Sequence, residues 1–284
     1  MRRNFVPRTD LALESYDSSD KKLPEGVFCQ QQTIENVLKT TVRIDTEQAA
    51  KRLKRPRGRY ITLEGDMSVA AETMTDELQK ELAAMLPDGP VLVVGLGNRD
   101  ITPDVIGPAA ADKIMATRHL FSEQLERMGL KELRSVCVLS PGVMGQTGLE
   151  VFELISALLQ RHEFRSVIAI DALAARSAAR LGKTVQLCDS GISPGSGVLN
   201  RRAELSSSTL GIPVIAIGVP TVVDSAALIY ELCPQCQCGD MAMMMVTPRE
   251  IDEVARQAAA VSARAVNRAL QPFLTDEEID IFTS

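Results

Sequence analysis

From residue 90 onward, short runs of apolar residues alternate with longer stretches of mixed polarity. Pro90-Val-Leu-Val-Val-Gly95 is the first such run. It is continuously apolar rather than alternating, which predicts a parallel strand buried on both faces. Val136–Leu139, Ser166–Ile170 and Pro213–Gly218 repeat the pattern, and Thr184–Leu187 reads as a shorter strand. Between them, helical spacing runs from Asp104 to about Arg127 (interrupted at Gly107-Pro108), over Glu150–Gln160, Ala172–Leu181 and Asp224–Leu232. Thr247-Pro248 opens a last amphipathic helix, with Thr as N-cap and Pro in the first turn. Strands separated by helices predict an α/β protein: one domain, a mainly parallel twisted sheet flanked by helices.

The N-terminal third is less regular. The first ~30 residues are rich in Asp, Ser and Lys and read as a polar arm. Residues 31–56 are mixed and end in the basic run Lys51–Arg57, read as a solvated face or subunit contact. The net charge of -6 and pI near 5.2 argue against a nucleic-acid binder. No apolar run reaches the ~18–20 residues of a membrane span, and no signal-peptide pattern follows Met1, so the expected location is the cytoplasm. Cys29, Cys137 and Cys188 are scattered, and Cys233, Cys236 and Cys238 form a cluster. Three thiolates without a neighbouring histidine fall short of the usual zinc set. The cluster is therefore expected to be reduced and loop-borne, with no metal and no cofactor.

Most familiar catalytic patterns are missing. The two histidines, His119 and His162, have no HExxH partner, and there is neither a GxSxG elbow nor a GxxxxGK[ST] phosphate loop. Gly95-Leu-Gly97-Asn98-Arg99-Asp100 starts like a dinucleotide fingerprint but has Asp where the third glycine belongs. Two aspartates stand out instead. Asp104 follows the first strand through a short loop, and Asp171 follows Ile168-Ala-Ile170, so both are expected at the carboxyl edge of a parallel sheet. Two carboxylates sharing a site do not both ionise easily, which supplies an acid and a base for water attack on a peptide bond. The competing reading makes both of them first-turn helix carboxylates. Asp189-Ser190-Gly191 copies the triad of all-β aspartic proteases, but here it stands once, in α/β flanks. It reads as a glycine-rich loop lining the same edge, with Asn98, Asp189 and Gly191 as supporting residues.

Several ordered blocks carry a family resemblance: Val94-Gly-Leu-Gly-Asn98, Thr102-Pro-Asp104, Thr117-Arg-His-Leu-Phe121, Pro141-Gly-Val-Met-Gly145, Ala169-Ile-Asp-Ala-Leu-Ala174, Pro194-Gly-Ser-Gly197 and Gly211 through Asp224. The chain resembles the germination proteases of spore-forming bacteria. That resemblance implies an atypical aspartic-type endopeptidase with catalytic aspartates at Asp104 and Asp171, and a fold like that of the hydrogenase-maturation peptidases. It also implies a homotetramer in the spore cytoplasm, made as a zymogen, that degrades small acid-soluble spore proteins. Thr9-Asp10-Leu11-Ala12-Leu13-Glu14 repeats the hydroxyl, carboxylate, large apolar, alanine and later carboxylate order of the sites cut in those substrates. Self-cleavage between Asp10 and Leu11 is expected, dividing a propeptide, 1–10, from a peptidase domain, 11–284. Longer relatives carry an insertion where this chain has only Ser225–Met244. Two other readings stay open: a maturation-type peptidase whose aspartates hold a metal, and a non-catalytic α/β protein that binds a small ligand.

Overall fold

The computed structural model describes residues 9–15, 23–120, 133–195, 203–233 and 244–283. Among the described residues nine strands form one sheet: β1 (Val27–Ile34), β2 (Val37–Ile44), β3 (Gly58–Glu64), β4 (Val91–Gly95), β5 (Val136–Leu139), β6 (Ser166–Ala175), β7 (Thr184–Cys188), β8 (Val214–Asp224) and β9 (Met245–Val246). Their spatial order is β1-β2-β3-β7-β8-β6-β4-β5, with β9 paired to β8. The fold is the expected single α/β unit, but the sheet is mixed. The β5-β4-β6-β8 half is parallel, whereas β1, β2, β3 and β7 join antiparallel and meet β8 antiparallel.

The parallel half follows from its sequence. Val91 and Val93 point into one cluster with Met74, Leu78, Ala258 and Val266. Leu92 and Val94 point into another with Ile155, Phe164 and Val214. Burial on both faces explains why these strands are uninterrupted apolar runs. The helices begin with α1 (Ala12–Ser15) and α2 (Glu47–Leu53); the first cluster is covered by α3 (Met67–Met85), α4 (Ile106–Ala111) and the long helix Ile251–Leu270, and the second by Val151–Arg161. No described helix is long and apolar enough to cross a membrane.

Several expectations are corrected. Ala172–Leu181 is not a helix: β6 runs on to Ala175, held by pairing with β8 from Asp171↔Gly218 to Ala175↔Val223, and only Ala178–Arg180 makes a 3-10 turn. Pairing with β8 along this stretch overrides the helix preference of alanine. The stretch from Asp104 yields a 3-10 turn, Thr102–Asp104, and α4, which ends at Ala111. Beyond it the Thr117 and Arg118 amides donate to the Val136 carbonyl, so the chain is tied to β5 instead of continuing as helix; residues 121–127 lie outside the described residues. The last long helix starts at Ile251, not at Thr247, whose hydroxyl donates to the Thr221 carbonyl 2.8 Å away. The polar arm gives way to β1 at Val27, a largely exposed edge strand whose polar residues face solvent. Cys233 is disulfide-bonded rather than reduced. The described Cys29, Cys137 and Cys188 are free, so its partner, and with it Cys236 and Cys238, lies outside the described residues.

Gly107 fixes how α4 meets the sheet. A methyl group there would lie 2.1 Å from the Leu96 carbonyl oxygen and 2.4 Å from that of Ile170. The helix start therefore presses directly on the ends of β4 and β6, which holds Asp104 next to the exit of β6.

Candidate active site

Where β4 ends, β6 and β8 continue. Gly95 is the last β4 residue paired to β6, opposite Ile170; the next β6 residue is Asp171. This step in the sheet opens a cleft of about 850 Å³ that Asp104 and Asp171 both line. Asp171 is 6 % exposed, and its Oδ1 accepts from the Ala172 amide at 2.9 Å. Because it sits within a strand, the helix-capping reading does not apply to it. On the same rung, Asp171 of β6 and Gln186 of β7 flank Gly218 of β8.

Asp104 ends the 3-10 turn, and its Oδ2 accepts from the Asn98 amide at 2.8 Å. That amide reaches it because Gly97 has φ +121 and no Cβ; a Cβ would lie 2.0 Å from the Asp104 carbonyl oxygen. The buried Thr221 hydroxyl donates to the Pro103 carbonyl at 2.7 Å and pins the turn to β8. Asn98 thus supports Asp104 through its backbone, and its Oδ1 accepts from Gln146 Nε2 at 3.0 Å.

The N-terminal segment occupies this cleft. Thr9, Asp10 and Glu14 line it with the two aspartates. The Asp10 amide donates to the Ala174 carbonyl at 2.8 Å, and the Ala174 amide returns a bond to the Asp10 carboxylate at 2.9 Å. Leu11 is fully buried against Leu173, Ala175, Leu181 and Val223, a contact worth about 2–3 kcal/mol. Gln186 grips both sides of the Asp10–Leu11 junction: its Oε1 accepts from the Ala12 amide at 2.7 Å, and its Nε2 donates to the Asp10 carbonyl at 3.4 Å. Arg55 donates to the Thr9 carbonyl. The chain then makes one helical turn, α1 (Ala12–Ser15).

Of the proposed supporting residues, Gly191 lines the cleft and Asp189 does not. The exposed Asp189 accepts from the Arg59 amide at 2.8 Å and ties its loop to β3. Burial pushes the Tyr60 phenol and the Cys188 thiol up, so both lining groups stay neutral at physiological pH. His119 is exposed, and His162 Nδ1 pairs with Arg118 at 2.9 Å; neither lines the cleft. Among the described residues no group of three or more His, Cys, Asp or Glu side chains converges as metal ligands.

Gln186 and Arg55 were not picked out from the sequence. Gln186 had a usable signal, since it is the one amide in the otherwise fully buried strand Thr184–Cys188. Arg55 belongs to the basic run read as solvated, but that run forms a wall of the cleft.

The architecture defines a class: an α/β protein whose sheet step holds a peptide segment beside two carboxylates. Residues 7–233 match the family model described as germination protease. The germination protease of Caldanaerobacter subterraneus subsp. tengcongensis is 37 % identical over 314 aligned residues, taking in 96 % of this chain and 97 % of that one. That of Clostridium perfringens strain SM101 is 36 % identical over 97 % of this chain and 98 % of its own. That of Bacillus licheniformis is 43 % identical, with 79 % of this chain and 65 % of the relative aligned. The chain belongs to the germination protease family and is a peptidase.

Proposed function

We propose that the chain is an aspartic-type endopeptidase made as a self-processing zymogen. Residues 1–10 are its propeptide and residues 11–284 its peptidase domain. Asp104 and Asp171 activate water first against the Asp10–Leu11 bond and then against small acid-soluble spore proteins. The observation that carries this reading is the seating of the Asp10–Leu11 junction in the cleft lined by both aspartates. One carboxylate takes a proton from water, and the resulting hydroxide adds to the Asp10 carbonyl carbon. Gln186 Nε2 faces the oxygen on which negative charge develops. The other carboxyl group protonates the Leu11 nitrogen as the C–N bond breaks, and the new acid on Asp10 gives its proton to the released amine, leaving a carboxylate on Asp10 and an ammonium on Leu11. No cofactor takes part. The proposed setting is the spore cytoplasm, with the enzyme acting as a homotetramer.

The test is the intact mass of the purified protein after incubation at mildly acidic pH, beside Asp104→Asn. Wild type is expected to lose residues 1–10, while the variant is trimmed at least ~100-fold more slowly. Equal trimming of both would remove Asp104 from the mechanism. A non-catalytic ligand-binding protein would leave both intact and would also fail to cut a spore-protein substrate.

A further inference from the structure

The two strands that run on past the sheet step, β6 and β8, fall out of register inside the cleft. They pair from Val167↔Val214 to Leu173↔Pro220; the next pair is Ala174↔Val222, so Thr221 stands opposite no residue of β6. The extra residue is a β-bulge, and it turns β8 over. Before it, Ile215, Ile217 and Val219 point into the cluster under α3 and the helix Ile251–Leu270. After it, Val223 joins Leu173, Ala175 and Leu11 in a different cluster. Pro220, which has no amide to give a ladder, immediately precedes the bulge. Bulges recur beside active sites because they aim one side chain independently of the ladder.

Thr221 lines the cleft and is fully buried. Its hydroxyl donates to the Pro103 carbonyl at 2.7 Å, one residue before Asp104, and its own carbonyl accepts from the Thr247 hydroxyl at 2.8 Å. The turn it holds needs holding. Thr102–Asp104 is three residues long with none of them buried, and Ile101 before it is 51 % exposed. Packing fixes such a turn weakly, so hydrogen bonds set its place: the Asn98 amide on the Asp104 carboxylate, and the Thr221 hydroxyl reaching up from the sheet. A valine would fill the same space as Thr221 but has nothing to donate.

We propose that Thr221 is a positioning residue for the cleavage reaction. Acting through the Pro103 carbonyl, it sets the separation of the two aspartates. Asp171 and Thr221 lie on the paired strands β6 and β8, so the hydroxyl ties the Asp104 turn to the same pair of strands that carries the other carboxylate. The bulge gives Thr221 this place, and Thr247 takes up the carbonyl of the bulged residue. The inference rests on the protease reading above and adds to it what holds the pair of carboxylates together.

The test follows self-trimming of the full chain by intact mass, then, with trimming carried to completion, cleavage of a synthetic peptide copying residues 5–17. Thr221→Val is expected to slow trimming about 10–100-fold, the effect of a small misplacement of a reacting group. On the peptide it is expected to lower kcat by a similar factor and to leave KM within about 2-fold, because the peptide-binding wall is untouched. Thr221→Ser, which keeps the hydroxyl, is expected to stay within about 3-fold of wild type. Unchanged kcat in Thr221→Val would overturn the assignment and leave the protease reading intact. A raised KM at constant kcat would make Thr221 part of the peptide wall and overturn it as well. If the valine variant does not fold, Thr221→Ala and Thr221→Ser decide, since they differ by the hydroxyl alone: a slow alanine variant beside a fast serine variant supports the role, and equal rates overturn it. Failure of wild type to trim itself or cut the peptide would bring down the protease reading, and the role of Thr221 with it.

Discussion

The two halves of the sheet do different work. The parallel half, β5-β4-β6-β8, is built from apolar runs covered on both faces, and its strand ends present Asp104 and Asp171. The antiparallel half, β1-β2-β3-β7, brings up Gln186, Tyr60 and the Arg55 wall that enclose the N-terminal segment. The proposed reactive groups come from the half that tolerates least change, and grip on the N-terminal segment comes from the half that is polar and partly exposed. A rigid frame under the carboxylates holds their geometry. The peptide-binding wall can vary without disturbing it.

The harshest way to break this division is to disturb the parallel half where no space exists. Gly107→Ala forces a methyl group onto the Leu96 and Ile170 carbonyl oxygens, both of them backbone atoms that cannot swing aside. The expected cost is about 3 kcal/mol, the upper part of the overpacking range, together with loss of self-trimming as the Asp104 turn is pushed from β6. Thermal unfolding checks the first effect and intact mass the second. A variant of wild-type stability that still trims would show that α4 is not what positions Asp104.

What the sequence disclosed follows the same division. The strands of the parallel half were legible because burial on both faces writes a continuous apolar run, and both aspartates were found from where those runs end. Asp171 was nevertheless expected after its strand and lies inside it, because Ala172-Leu-Ala-Ala175 reads as helix until the β8 partner is known. The antiparallel half was legible only at β7, which reads as the short strand Thr184–Leu187. β1 is an exposed edge with the burial of only Val27, so its pattern resembles a polar arm. Arg55 acquires meaning only when a distant segment folds against it, across 46 residues to Thr9. No local periodicity encodes that contact.

The grip can be weakened without touching the frame. Gln186→Ala removes the donor to the Asp10 carbonyl and the acceptor for the Ala12 amide. Self-trimming is expected to slow about 10-fold, at the low end for a donor to a developing oxyanion because the 3.4 Å contact is long. Stability is expected to change by no more than about 1–2 kcal/mol, the usual cost of a lost buried hydrogen bond. Rate and stability measured on one preparation separate the two. If the rate fell only in proportion to unfolding, Gln186 would belong to the frame and the division between the halves would blur.

The smallest effect concerns the clamp that ties the covers of both halves together. Arg268, on the helix Ile251–Leu270, reaches Glu72 and Asp76 of α3 at 2.7 Å and Asp276 of the C-terminal helix Asp276–Thr283. The Arg268 guanidinium, with help from Arg264, holds the Asp276 carboxyl down at about 2. A carboxyl group lowered on folding adds stability above its unfolded value, near 4, and that stability drains away as pH falls toward 2. Asp276→Asn should therefore lower Tm by roughly 2–4 °C at pH 7, consistent with a partly exposed pair worth about 1 kcal/mol. The gap between variant and wild type should close as pH approaches 2, and trimming at neutral pH should be unaffected because Asp276 does not line the cleft. Thermal scans from pH 7 to 2 decide the point. A gap that stayed constant across that range would mean that the Asp276 carboxylate is not what the clamp depends on, and that apolar packing of the C-terminal helix through Ile279 joins the two covers instead.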